Sequence, residues 1–403
     1  MKIVGLLAAM LVGWPLVAAA QPVGEPTIEH VPEDLADEVK SRGILGQDDR
    51  RSTREVPYYL KKYTRRVGEL ITYNHLESGE TAKTTCTGSL IQKNYIVTAA
   101  HCAFDSQGKL HENQFFYPGI QEGRVNYDKY RVARVLLPAS YTHDANEDTG
   151  RDIAIMELEP ADNGRHAGQV AGWFGFWGRA DFPDGEVSTI GYPGDKQDGH
   201  QYFQEGCQAV NRNPYNHNDL WIDCDVFQGQ SGSPVLIYSG EYDTFHVQAV
   251  IQSESAKMNF GSRISPERAK IFRYITKGEF ASAAYQSEGI VEPWIQMDYV
   301  NQNKIYVYAR NECSDEDLYI AYNYKTHAGD WRAGGFMLLK PKHEMPVFDT
   351  GNGVYYLSAR NPEGKVFTRK DMNKYLSKYD MNVGMQKYSV DKFGTFTYGF
   401  GCR

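Results

Sequence analysis

The stretch Tyr95-Ile96-Val97-Thr98-Ala99-Ala100-His101-Cys102 runs an apolar strand into a histidine followed directly by a cysteine. An imidazole suits the role of general base for a hydroxyl nucleophile because its pKa lies near neutrality, and the cysteine offers a covalent tie for the loop that carries it. Working outward, Arg151-Asp152-Ile153-Ala154-Ile155 places an acid just before a second apolar strand, where a carboxylate can sit partly buried and orient an imidazole. Further on, Gly229-Gln230-Ser231-Gly232-Ser233-Pro234 lets the chain turn sharply, present the Ser231 hydroxyl and aim the backbone N–H groups of Gly229 and Ser231 at a developing oxyanion. Each fragment alone has an ordinary explanation: a structural histidine, a turn aspartate, a glycine-rich loop. Their joint occurrence in the order His, Asp, Ser matches one of the convergent solutions of the catalytic triad, so the functional reading dominates. Asp144 and Asp148 compete for the third role, yet only Asp152 opens an apolar run.

The chain has 403 residues, enough for two ordinary domains, with a net charge of -8. That charge provides no cationic footprint for nucleic acid or an anionic membrane. The 38 glycines, 28 tyrosines and 17 prolines argue for many short strands and turns and against coiled coil or bulk disorder. Residues 1–20 read as a signal peptide: Lys2, an apolar run from Ile3 to Val17, then Ala18-Ala19-Ala20. The run is shorter than the roughly 20 residues of a spanning helix, and no later segment is apolar enough to cross a bilayer. Export permits disulfides, and clustering along the chain pairs Cys86 with Cys102, Cys207 with Cys224 and Cys313 with Cys402, one of 15 connectivities open to six cysteines. Closing the Cys86–Cys102 loop is worth about 3 kcal/mol on the loop-entropy model. No CxxC occurs and the histidines lack zinc-ligand spacing, so no structural metal is expected.

Residues 21–43 are acidic, proline-bearing and poor in large apolar side chains, as in a propeptide or flexible leader. From Ile44 to about residue 276 short runs recur between turn residues: Val67–Tyr73, Ser89–Val97, Tyr130–Leu137, Ile153–Leu158, Val187–Ile190, Leu220–Ile222, Pro234–Tyr238 and Val247–Ile251. This spacing predicts an all-β antiparallel barrel or sandwich. One helix is expected from Pro266, capped by Ser265 and carrying Ala269, Ile271, Phe272 and Ile275 at helical spacing. Residues 277–289 read as a linker, and residues 290–403 as a small β-rich domain that Cys313 and Cys402 close like a clasp.

The segment from Ile44 to about Ile275 resembles the chymotrypsin-like serine proteases, and within them the bacterial branch of V8-type glutamyl endopeptidases. Gly46-Gln47-Asp48-Asp49-Arg50 is similar to that branch's mature amino-terminal Gly-x-Asp-Asp-Arg, and Cys86-Thr87-Gly88-Ser89-Leu90-Ile91 with Thr98 to Cys102 to its strand and histidine loop. Gly191-Tyr192-Pro193-Gly194-Asp195 and Gly229 to Pro234 match its Gly-Tyr-Pro-Gly and Gly-x-Ser-Gly-Ser-Pro segments. The resemblance implies two perpendicular six-stranded barrels with the cleft between them, a histidine-loop disulfide from Cys86 to Cys102, and cofactor-free hydrolysis of protein or peptide substrates through His101, Asp152 and Ser231.

The match departs from the branch in its specificity pocket. A threonine and a histidine help the glutamyl endopeptidases bind a substrate carboxylate, along with the free amino terminus; this chain has Val226 and Gln252 at the side-chain positions, with Ser253 next in line. Loss of those donors argues against strict Glu preference. Asp225 stands where the trypsin branch carries its pocket aspartate for Lys and Arg, although acids near this place in the V8-like branch need not face the pocket. Trypsin-like zymogens mature when a new amino terminus pairs with an aspartate before the serine; Gln230 cannot form that ion pair. A leader ending at Arg42 or Gly43 still fits a removed propeptide; Arg50-Arg51 offers an alternative processing site but falls inside the matched motif and reads as a solvated turn. The last domain has no assigned partner: its aromatic residues fit buried sheet faces better than a binding face. Two rival functions stand beside the protease: a serine esterase, whose Gly-x-Ser-x-Gly elbow is spoiled by Ser233, and a catalytically silent protease-fold adhesion or scaffold protein.

Overall fold

The computed structural model describes residues 43–75, 81–111, 113–142, 150–161, 163–178, 185–210, 218–255, 257–299, 304–326 and 329–402. The signal peptide, the leader up to residue 42, and Asp144 and Asp148 lie outside the described residues. Strand Val67–His75 pairs with Thr81–Gln92 on one side and Gln114–Pro118 on the other. Tyr95–Thr98 continues from Thr81–Gln92 to Ala154–Leu158, and Tyr130–Pro138 joins Gln114–Pro118 to Ala154–Leu158. The sheet therefore closes into a six-stranded barrel through the pairing of Tyr130–Pro138 with Ala154–Leu158.

Alternation divides the side chains between two faces. Leu70, Leu90, Ile96, Phe116 and Met156 fill one cluster. Their sequence neighbours Ile71, Ile91, Val97, Phe115 and Ile155 pack on the opposite side, in a cluster that includes Ile190, Leu236, Val247 and Val250 from the next barrel. The run read as one strand, Ser89–Val97, is broken by a turn at Lys93-Asn94, where two polar residues reverse the chain and set Gln92 opposite Tyr95.

The second barrel has six strands: Gly185–Gly191, Tyr202–Val210, Asp219–Ile222, Asn259–Arg263, Thr244–Ser253 and Pro234–Ser239, the last pairing back to the first. Tyr202–Val210 was not expected from the sequence, because its polar residues and a bulge between Glu205 and Cys207 interrupt the alternation. Helix Pro266–Thr276 begins as expected, with the Ser265 hydroxyl accepting from the Arg268 N–H and Ala269, Ile271, Phe272 and Ile275 buried.

Two departures follow this helix. Residues 277–289, read as a linker, contain the short helix Ala283–Ser287, with Phe280 packed on Tyr285 and Tyr285 on Tyr274. Strand Trp294–Asp298, grouped with the C-terminal unit in the sequence reading, pairs with Tyr130–Pro138 of the first barrel instead. Its buried Trp294 anchors it against Phe272 of the helix. Beyond it, a three-stranded sheet (Glu344–Thr350, Ile305–Asn311, Gly394–Phe400) and a five-stranded sheet (Trp331–Leu339, Leu318–Lys325, Val354–Arg360, Met381–Ser389, Met372–Leu376) share a core of Ile305, Val307, Ile320, Phe348, Tyr355 and Leu357. Disulfides join Cys86 to Cys102, Cys207 to Cys224 and Cys313 to Cys402. No helix among the described residues is long and apolar enough to cross a membrane.

Candidate active site

Strand Tyr95–Thr98 delivers the chain into a short 3-10 turn, Ala100–Ala103, that carries His101, and the Cys86–Cys102 disulfide ties this turn back to strand Thr81–Gln92. Asp152 precedes strand Ala154–Leu158, the immediate neighbour of Tyr95–Thr98, so sheet pairing brings the two residues together. The Asp152 carboxylate contacts His101 Nδ1 at 2.6 Å and accepts the His101 backbone N–H at 2.9 Å. One carboxylate thus fixes both the ring and the turn that bears it. Burial works against a charged His101, but the charge and hydrogen bond of Asp152 outweigh it and raise the imidazole pKa above its ordinary value.

Ser231 lines one cleft together with His101, Cys102, Thr85, Gly194 and Gly229. The loop shape around it needs glycine at two places. Gly229 has φ +91° and a Cβ there would collide with the Tyr192 carbonyl; Gly232 has φ +82° and a Cβ there would meet Thr98 and Thr87. No acceptor among the described residues takes the backbone N–H of Gly229 or of Ser231.

The first barrel holds this loop through a residue the sequence reading passed over. The fully buried Thr87 gives its N–H to the Ser231 carbonyl at 2.8 Å and its hydroxyl to the Gly229 carbonyl at 2.8 Å, and accepts the Tyr192 N–H at 3.1 Å. A threonine between Cys86 and Gly88, just ahead of the apolar pair Leu90-Ile91, was the available signal.

The pocket candidates are not brought together at the cleft. Asp225 is 1% exposed; its carboxylate accepts the N–H groups of Leu45 at 2.8 Å and Asp49 at 2.9 Å, and the Gln204 amide at 3.2 Å. Burial raises its pKa despite these bonds. Asp225 therefore clamps the segment before the first barrel, and its carboxylate is engaged there rather than at the cleft. Val226 is buried among Cys207, Leu220, Ile222 and Cys224. Gln252 is committed, its carbonyl accepting from the Ser262 hydroxyl at 2.6 Å and the Gly150 N–H at 3.3 Å. Only Ser253, at the exposed end of its strand, is open to a ligand.

Arg50 also departs from expectation. The pair Arg50-Arg51 is half a solvated turn: Arg51 is exposed, but the Arg50 side chain is 1% exposed and bonded to Asp48, Asp195 and Gln230. Burial alone would push the Asp48 carboxyl up; hydrogen bonds from Arg50 and Lys196 instead hold it well below the usual carboxylate range. Two groups of three possible metal donors occur among the described residues, Cys86 with His101 and Cys102, and Cys313 with Glu316 and Cys402. In each, both sulfurs are spent in a disulfide.

The trypsin family model matches residues 70–262. A glutamyl endopeptidase of Bacillus licheniformis is 29% identical over 199 residues, 48% of this chain and 55% of the relative. An extracellular metalloprotease of Bacillus subtilis is 27% identical over 183 residues, 45% of this chain and 54% of the relative. The chain spans about half the length of these curated relatives. Among solved structures, a Glu endopeptidase in complex with MPD aligns at TM-score 0.46 and 20% identity, covering 58% of this chain and 99% of the other. The protease Anisep from Arthrobacter nicotinovorans aligns at TM-score 0.44 and 19% identity, covering 58% and 100%. With two closed six-stranded barrels beneath the family match, this chain carries a trypsin-like serine protease domain, with V8-like glutamyl endopeptidases among its relatives.

Proposed function

We propose that this chain is a secreted serine endopeptidase that hydrolyses peptide bonds through an acyl-enzyme. The observation that carries the reading is the double grip of Asp152 on His101, ring and backbone, with His101 and Ser231 lining one cleft. Ser231 Oγ attacks the peptide carbonyl carbon while the second ring nitrogen of His101 takes its proton. The carbonyl oxygen, now negative, is received by the N–H groups of Gly229 and Ser231. His101 returns the proton to the leaving amine, and water, activated by the same imidazole, then releases the acyl group. No cofactor enters these steps.

Residues 1–20 and the three disulfides support export, with maturation after Arg42 or Gly43. Asp225, Val226 and Gln252, all buried and two of them engaged elsewhere, support neither a basic nor a strictly acidic preference at the cleavage site. A serine-directed phosphonylating reagent tests the nucleophile: one equivalent should attach to Ser231 and abolish hydrolysis, and Ser231→Ala should take up none. Intact Ser231 in a folded, correctly processed sample would sink the reading and favour the silent scaffold.

A further inference from the structure

The Arg50 guanidinium has five N–H donors, and all five are used. Nε and Nη2 reach Asp48 at 2.9 Å each, Nη1 and Nη2 reach Asp195 at 3.0 and 2.5 Å, and Nη1 reaches Gln230 Oε1 at 3.0 Å. Lys196 adds a bond to Asp48 at 2.6 Å, so two cations and two carboxylates balance in charge. Such a network is costly to break from one side, because it leaves a buried charge without its partner.

Its position gives it a use. Gln230 lies between Gly229 and Ser231, is 1% exposed, and its Oε1 also accepts the Phe227 N–H at 3.1 Å. Asp195 follows Gly194, whose N–H bonds the Gln228 carbonyl at 2.6 Å. Arg50 therefore joins three segments: its own, the turn at Gly194, and the loop with both candidate oxyanion donors. Asp225 fastens the same segment to the loop a second time, through the N–H groups of Leu45 and Asp49.

We propose that Arg50 is a positioning residue for the nucleophile loop, holding the Gly229 and Ser231 N–H groups in register through Gln230 and Asp195. The cation that orders this loop is then an internal side chain and not a newly cut chain terminus. The proposal rests on the reading of Ser231 as nucleophile. Preorganised donors act only if the loop cannot turn away, and a misplacement of about 1 Å costs on the order of 10²-fold in rate.

The test compares wild type, Arg50→Ala, Arg50→Lys and Gln230→Met in the full mature chain, using a fluorogenic peptide drawn from the wild-type cleavage profile and a boronic acid built on that peptide. Arg50→Ala should lower kcat roughly 10- to 100-fold with KM nearly unchanged, and weaken boronate binding in proportion, since the boronate needs the oxyanion donors. Arg50→Lys should recover little, because an ammonium cannot reproduce the planar fork. Gln230→Met keeps the side-chain volume and removes the acceptor, and should show the same split even if Arg50→Ala fails to fold. Full kcat in either folded variant, or a kcat loss with boronate affinity intact, overturns the proposal. Absence of Ser231-dependent cleavage in the wild type would instead overturn the protease reading, and is seen before any Arg50 variant is made.

Discussion

At His101 two influences oppose each other, and the winner sets a pH profile. Burial disfavours the imidazolium, whereas the Asp152 carboxylate at 2.6 Å favours it more strongly. The base must be neutral to accept the Ser231 proton, so kcat/KM should fall as pH drops, with its acid limb above the ordinary imidazole midpoint of roughly 6.5. Replacing Asp152 with Asn removes the favouring charge: the limb should move down in pH and kcat should fall by about 10⁴. An unmoved limb in that variant would remove Asp152 from the account. The same raised pKa means that the pair's contribution to stability is complete below the unfolded-state midpoint and fades as pH rises through the folded-state value. At this scale the legible residues were those whose chemistry is local in sequence. His101, Asp152, Gly229 and Ser231 stand in short fragments whose order along the chain, taken together, carried the reading. Arg50 and Asp225 did not, because their meaning depends on partners 180 residues away.

Among the elements, the strand after the helix does more than extend a sheet. Trp294–Asp298 adds to the first barrel and leads to Tyr299, whose hydroxyl donates to Gln114 Oε1 at 2.7 Å. Gln114 in turn donates its amide N–H to the Cys102 carbonyl at 2.7 Å, directly behind His101. Tyr299→Phe removes the donor and leaves a buried acceptor, so unfolding free energy should drop by about 1–3 kcal/mol. Denaturant unfolding measures it; a loss within error would show that the contact carries no weight. Runs rich in apolar and aromatic residues between turns, such as Val67–Tyr73 and Val354–Ser358, were legible from their spacing and fall within strands Val67–His75 and Val354–Arg360. Glu344–Thr350 was not: Pro346 sits within it, and a register shift opposite Val307 and Tyr308 breaks the pattern.

Across the whole molecule, the C-terminal sheets are docked on the first barrel. Tyr308 packs edge-on against Phe115 and accepts a hydrogen bond from Asn113, and the buried Glu344 side chain meets Lys129, Arg310 and Tyr117. Alternating tyrosine and valine could not reveal in advance that one tyrosine of this region would pack against another barrel. The most direct measurement is cleavage-site profiling of a mixed peptide library with mature wild-type protein beside Ser231→Ala. Cuts confined to the wild type are expected, without concentration after Lys or Arg, because Asp225 is spent on the Leu45 and Asp49 amides. No cuts from folded, processed protein, or equal cuts from Ser231→Ala, would contradict the assignment of this site as a serine endopeptidase.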